Sequence, residues 1–340
     1  MSGRLLLALF LISTAVHAFD PADFQICISE SGLNSLLPVI FNGTRISDPS
    51  VSLRRDQFVL KVQIRIQSLP LELKFIGELS TCESGAVDLN INSCLHGLLS
   101  EEKDDTRRYL HYLIDAINSI PVGNPGRKIS ATFVDSAEYL ATVRLSPSEL
   151  ALLPSLGKIR IQTAQLRERM LVISSSLKPV LNGRKDFQAF LGNGLLNKLL
   201  LKFTARQPPD SPQIIETRFN PGKKAGISFQ FRNDPECAML DLVLSLKVLK
   251  PDWFSLDSAV RKSDRPVDLN RRLSYITRIL NHNIEILSTA EGNKTKFSVT
   301  GNRVYFNLSF DDLMPLKWAP EIYEADLEKD YLLLNAKYPE

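Results

Sequence analysis

The feature that most constrains this chain is its likeness to itself at one fixed distance. Shifted by 163 residues, Phe24-Gln25 falls on Phe187-Gln188, and Leu33, Asn34, Leu36, Leu37 and Ile40 fall on Leu196, Asn197, Leu199, Leu200 and Phe203. Ile64 and Ile66 meet Ile227 and Phe229; Leu110, Leu113 and Ile117 meet Leu273, Ile276 and Leu280. Near the end, Val143, Leu145 and Leu150 meet Phe306, Leu308 and Leu313, while Ser148-Glu149 meets Asp311-Asp312. Composition alone does not give one offset to elements this far apart. The period is far longer than a solenoid repeat, so it marks the duplication of a whole domain. A chain of 340 residues has room for two medium cores. The expected division is a signal peptide over 1–18, a first domain over 19–175, a second over 185–320 and a charged C-terminal tail over 321–340.

Each copy repeats the same order of parts. Leu33, Leu36, Leu37 and Ile40 recur at the spacing of one helical face, with Ser29 and Ser31 as candidate caps and Gly43 as a stop. Period-two alternation follows: Phe58, Leu60, Val62, Ile64 and Ile66 oppose Lys61, Gln63 and Arg65, and Leu71, Leu73, Phe75 and Leu79 continue it. That pattern predicts an antiparallel sheet with one apolar face. In the second copy Phe229 and Phe231, then Leu240, Leu242, Leu244, Leu246 and Val248, do the same. A second amphipathic helix carries Leu110, Leu113, Ile114 and Ile117, matched by Leu273, Ile276, Leu280 and Ile284. A last strand pair is expected near Ile159-Ile161 and Met170-Val172. The segments Gln207–Gly226 and Pro251–Pro266 read as a loop and an insertion. The resulting expectation is an elongated α+β protein of two tandem pseudo-repeated domains, each a curved antiparallel sheet wrapped around amphipathic helices.

Arg4, the apolar run from Leu5 to Val16 and the small residues of Val16-His17-Ala18 form an export signal cut after Ala18. The run is too short to span a bilayer. Export places the protein in a periplasm if the source is bacterial, and outside the cell otherwise. Cys27, Cys82, Cys94 and Cys237 then sit in an oxidising compartment, where disulfides are expected in any of three full pairings. Asn42, Asn293 and Asn307 open glycosylation sequons. A formal charge of +3 is too small and dispersed to imply a nucleic-acid partner.

Nothing in the sequence assembles into catalytic machinery. Past Ala18 only His96, His111 and His282 remain, scattered, and no HExxH, GxSxG or Walker loop occurs. Glu101-Glu102, Asp104-Asp105 and Asp311-Asp312 read as helix-start or turn charges. The chain is expected to be no enzyme and to need no cofactor or metal.

The order of parts, and the opening Ile28-Ser29-Glu30-Ser31-Gly32-Leu33-Asn34, resemble the tubular lipid-binding superfamily, which includes bactericidal/permeability-increasing protein and exported bacterial lipid-binding domains. The second copy departs from the motif, with Leu195 at the place of Gly32. The resemblance implies apolar cavities between helix and sheet that hold acyl chains. The partner is then a lipid or another apolar small molecule, with transient contact at a membrane surface. Alternate strand residues share a face, so the expected ligand-holding residues in the first copy are Phe58, Leu60, Val62, Ile64, Leu73 and Phe75, facing Leu33, Leu37 and Leu113. In the second they are Phe229, Leu242, Leu244, Phe306 and Leu308, facing Leu196 and Leu200. The competing expectation is a protein- or surface-adhesion module on the same scaffold, with a filled core and no ligand.

Overall fold

The computed structural model of the chain describes residues 24–66, 69–82, 86–96, 99–100, 102–118, 130–134, 136–146, 162–175, 185–207, 212–221, 225–234, 236–287, 296–307, 320–327 and 331–337. The export signal, Leu308 and the strand expected at Ile159-Ile161 lie outside them. The first half runs β1 (Phe24–Ser29), α1 (Glu30–Phe41), β2 (Ile46–Arg54), β3 (Gln57–Ile66), β4 (Leu69–Thr81), β5 (Val87–His96), a short β6 (Leu99–Ser100), α2 (Lys103–Asn118), β7 (Ser130–Val134), β8 (Ala141–Ser146), β9 (Thr163–Arg167) and β10 (Met170–Ser174). The second half runs β11 (Phe187–Gly192), α3 (Asn193–Phe203), β12 (Gln213–Pro221), β13 (Ala225–Arg232), β14 (Met239–Lys250), β15 (Trp253–Ser263), α4 (Leu269–Leu287), β16 (Phe297–Thr300), β17 (Arg303–Asn307), β18 (Glu321–Leu327) and β19 (Tyr331–Lys337).

These strands build three antiparallel sheets. One has the order β2-β3-β4-β5-β8-β7, with β6 beside β5, and a second has the order β12-β13-β14-β15-β17-β16. The third, β18-β19-β11-β1-β10-β9, takes strands from both halves. At its centre β1 pairs with β11, and Ile26 faces Ala189, its own counterpart at the 163-residue offset. The sheet therefore reads symmetrically outward from that pair.

The α+β expectation of two domains, each a sheet wrapped around its helices, is overturned by this architecture. The fold is β-rich: among the described residues three sheets carry it, and four helices pack on them. The segment from Glu321, expected as a tail, forms β18 and β19, which take the places that β9 and β10 hold on the other side. Gln207–Gly226 contains β12, and Pro251–Pro266 contains β15. The joining strands are short, and β1 finds its partners about 150 residues away, as in the bond from Phe24 N to Ser175 Oγ (|i−j| 151). A short strand satisfied by such distant neighbours has almost no local signature, and strand propensity depends on those neighbours.

The entry to α1 gives the opening motif a physical reason. Ser29 Oγ accepts from Gly32 N at 2.9 Å and donates to Asp186 Oδ1 at 2.8 Å. A Cβ on Gly32 would lie 2.6 Å from the Asp186 carbonyl oxygen, so only glycine allows the second half to approach so closely.

Four asparagines fasten helices to the outermost strands. Asn34 Oδ1 accepts from Val51 N at 2.7 Å while its Nδ2 donates to Val51 O at 2.9 Å. Asn197 Oδ1 accepts from Phe219 N at 2.5 Å. Asn118 grips Ala131 N and O at 2.8 and 3.1 Å, and Asn281 grips Phe297 N and O at 2.8 and 2.9 Å. Their targets lie on β2, β12, β7 and β16, the end strands of two sheets. Such strands carry backbone groups without a ladder partner, and each amide bond here contributes about 0.5–1.5 kcal/mol net. Asn118 and Asn281 are themselves 163 residues apart, a match the apolar alignment passes over. Asn34 reaches 17 residues forward where Asn197 reaches 22, and Asn118 reaches 13 where Asn281 reaches 16. The strands thus slip out of the common offset. Val51 faces Leu60 and Phe219 faces Ile227, so Leu60, and not Ile64, corresponds to Ile227.

Candidate functional site

The same helix positions are buried differently in the two halves. On α1, Leu33, Leu36 and Leu37 are 2%, 1% and 4% exposed. On α3 their counterparts Leu196, Leu199 and Leu200 are all half-buried. The sheets follow suit. Phe58, Val62, Ile64, Leu73, Phe75 and Leu113 join Leu33 and Leu37 in one closed cluster, with Leu60 half-buried beside it. Its side chains are sealed from solvent. In the second half Phe229 and Leu242 are buried, but Leu244 and Phe306 are only half-buried.

The connected ladders give residue-by-residue counterparts. Asn118 leads to Ala131, which pairs with Leu145, which pairs with Val87. Asn281 leads to Phe297, then Phe306, then Phe254. Phe254, Phe306 and Phe297 stack across three strands at 5.2 and 5.3 Å. Four residues beyond Val87 and Phe254 stand Ile91 and Ser258, whose partners across the ladder are Gly77 and Leu244. The Phe58 ring comes within 2.9 Å of where a Gly77 Cβ would be, so it occupies the room that Leu244 has in the second half. Leu256 and Leu200 pack with Leu244 on the second-half core, while the half-buried Leu246, Val248, Leu196, Leu199 and Phe306 pack against the larger cluster that contains Leu33 and Phe254. Phe306 was expected to hold ligand, whereas its stacking partners Phe254 and Phe297, together with Leu199 and Leu256, were not. Phe254 stands inside Pro251–Pro266, and its alternation with Leu256 is the signal in the sequence that marks a strand there.

Polar networks brace this half from outside. The Arg272 guanidinium is held by Asp234, with Nη2 2.7 Å from Oδ1, by Glu236 at 3.2 Å, and by the Phe231 ring at 5.4 Å. Asp264 accepts backbone N–H bonds from Met239 and Ala238 at 3.0 Å each and a thiol bond from Cys237 at 3.2 Å. The Met239 and Ala238 amides, then the thiol, hold its carboxyl down at about 2. A carboxylate depressed from 3.8 contributes stability that is complete above the unfolded value and lost as pH falls through the folded one. Melting temperature should therefore fall between about pH 4 and pH 2, and less steeply in Asp264→Asn. Equal slopes in the two proteins would show that Asp264 carries none of this acid sensitivity.

No disulfide joins Cys27, Cys82, Cys94 or Cys237 in this structure. Burial, then the Asp264 contact, pushes the Cys237 thiol up to about 11; burial, then Asp88, does the same for Cys82. Both stay protonated near neutrality, far from the thiolate that nucleophilic chemistry needs. Burial works against ionised Asp88, but two Arg144 hydrogen bonds at 2.8 and 2.7 Å hold its carboxyl below the usual value. His111 meets Phe133 edge-on at 4.7 Å, and His96 and His282 are exposed. Among the described residues no three His, Cys, Asp or Glu gather closely enough to hold a metal. Two surface hollows, about 380 Å³ along α4 and about 290 Å³ at the end of α1, include Arg278, His282 and Glu285 in one and Arg45, Asp48 and Arg65 in the other. Their charged linings suit acyl chains less well than the half-buried leucines do.

No family model and no curated protein matches the chain. Two solved structures share its span. P47 of Clostridium botulinum E1 is 8% identical, with 94% of this chain and 99% of that one covered. P47 from Clostridium botulinum A2 is 10% identical, with 93% and 97% covered. Both have a TM-score of 0.31, too low to support a conclusion on fold or function.

Proposed function

We propose that this protein is an exported, non-enzymatic lipid-binding or lipid-transfer protein that holds an acyl chain against the interior of its second half. The opening residues Ile28 to Asn34 are where the chain resembles the tubular lipid-binding superfamily, and Ser29, Gly32 and Asn34 there each have a structural role. The observation that carries the reading is the contrast between Leu196, Leu199 and Leu200 and their fully buried counterparts Leu33, Leu36 and Leu37. One half has closed its core and the other leaves an apolar surface incompletely covered, together with Leu244, Leu246, Val248 and Phe306. Each methylene buried there contributes about 0.8 kcal/mol, so ten would contribute roughly 8 kcal/mol before ordering costs. That is enough to retain a single chain without a charged contact. No helix among the described residues is long and apolar enough to cross a membrane, and loading would occur by transient contact with a membrane surface.

Native mass spectrometry of the purified protein, before and after organic extraction, tests the reading. The expected result is a bound lipid that extraction removes. Protein that carries no lipid and takes up none from phospholipid vesicles would instead favour the surface-adhesion module, to which the closed first half is well suited.

A further inference from the structure

Among the buried polar side chains of the second half, Thr204, Thr217, Thr277 and Asn283 have hydrogen-bond partners, and Ser258 has none. Ser258 lies on the inner face of β15, directly across from Leu244, and the next inner pair is Leu256 with Leu246. It is 2% exposed. Its backbone N–H is used by the Asn302 carbonyl at 2.9 Å, but its hydroxyl has no hydrogen-bond partner. The counterpart at this point of the first half is Ile91, a buried member of the closed core. One half thus places hydrocarbon where the other places an unpaired hydroxyl.

Buried hydroxyls are nearly always paired, and an orphan is destabilising. In a filled core such a serine has nothing to recommend it over isoleucine. Against a surface that receives a ligand it has a use, because it supplies the one donor that an apolar wall lacks. Its neighbours on this face, Leu242, Leu244, Leu246 and Leu256, include no cation to hold a carboxylate, so a neutral acceptor fits best.

We propose that the Ser258 hydroxyl donates to the carbonyl oxygen of an acyl ester, so that the second half selects acyl esters over plain hydrocarbon of the same length. The proposal rests on the lipid-binding reading and deepens it. The Ser258 hydroxyl fixes where the ester sits, and the leucines around it take the chain.

The test uses delipidated full-length protein and displacement of the fluorescent probe 1-anilinonaphthalene-8-sulfonate by methyl palmitate or by heptadecane, both delivered from cyclodextrin. Native protein should bind methyl palmitate about tenfold more tightly than heptadecane, the discrimination expected of one buried hydrogen bond. Ser258→Ala should bring the two ligands within about twofold of each other, and Ser258→Thr should restore the preference. Melting of unliganded Ser258→Ala should occur no lower than that of native protein, because the alanine removes an unpaired group. Equal binding of both ligands by native protein, or a preference that survives in Ser258→Ala, overturns the role of Ser258 and leaves lipid binding standing. Displacement by neither ligand overturns both.

Discussion

Replacing Arg272 with alanine should cost about 3–5 kcal/mol of folding stability, because it strands a buried carboxylate. The side chains of Arg272 and Asp234 are 7% and 1% exposed, and Glu236 adds a second acceptor. The pair joins the first turns of α4 to the turn between β13 and β14, two points 38 residues apart in sequence. Without the guanidinium, Asp234 keeps its bonds from the Glu236 and Cys237 amides, at 2.9 and 3.3 Å, but loses its counter-charge. Arg272→Lys should recover only part of the loss, since an ammonium cannot reproduce the two-pronged contact with Asp234. Urea titrations check this directly: the midpoint should fall with little change in slope. A loss below about 1 kcal/mol, the range of exposed ion pairs, would mean that the pair is solvated and does not anchor α4.

The second large effect is a contrast between two tryptophan substitutions. Val62 is 1% exposed and faces Leu73, which is 0% exposed. An indole there overpacks a closed core and should cost about 1–3 kcal/mol or more. At roughly 2–4 °C per kcal/mol for a protein of this size, melting drops by several degrees. Leu244 is the same kind of inward strand residue, yet it stands on the half-buried surface opposite Ser258. Leu244→Trp should cost less than about 1 kcal/mol, because the ring grows into space that a ligand would otherwise fill. It should also reduce the lipid recovered by extraction, while Val62→Trp that still folds should retain its lipid. Matching stability losses at the two positions would mean that the second half is as full as the first, and the lipid-binding reading would fall with that result.

The amphipathic helices and the strands of the two larger sheets were readable from local pattern. Leu33, Leu36 and Leu37 recur at helical spacing and Val62, Ile64 and Phe75 at strand spacing because burial on one face leaves a period in the chain. The 163-residue offset also survived, most cleanly in β1 with β11, in α1 with α3, and in the asparagines. Those residues are tied to fixed partners, so neither copy could drift there without losing them. The candidate site was legible only in part: helical spacing points to Leu196 and Leu200 and strand alternation to Leu244 and Phe306, but the same alternation points to Val62, Ile64 and Leu73, which are core. Apolar pattern marks which face turns inward and is silent on whether the space inside is full.

What the sequence by itself determined, then, is the internal likeness at 163 residues, the identity of the inward faces and the places where helices begin. Only the tertiary structure decided that β1, β9, β10, β11, β18 and β19 form a third sheet shared by both halves, because each of these short strands is stabilised by partners far away along the chain. The same holds for the difference between the halves. Whether Leu37 is sealed while Leu200 is half-open depends on how closely helix and sheet approach, a property of packing in three dimensions that leaves no mark on the order of residues.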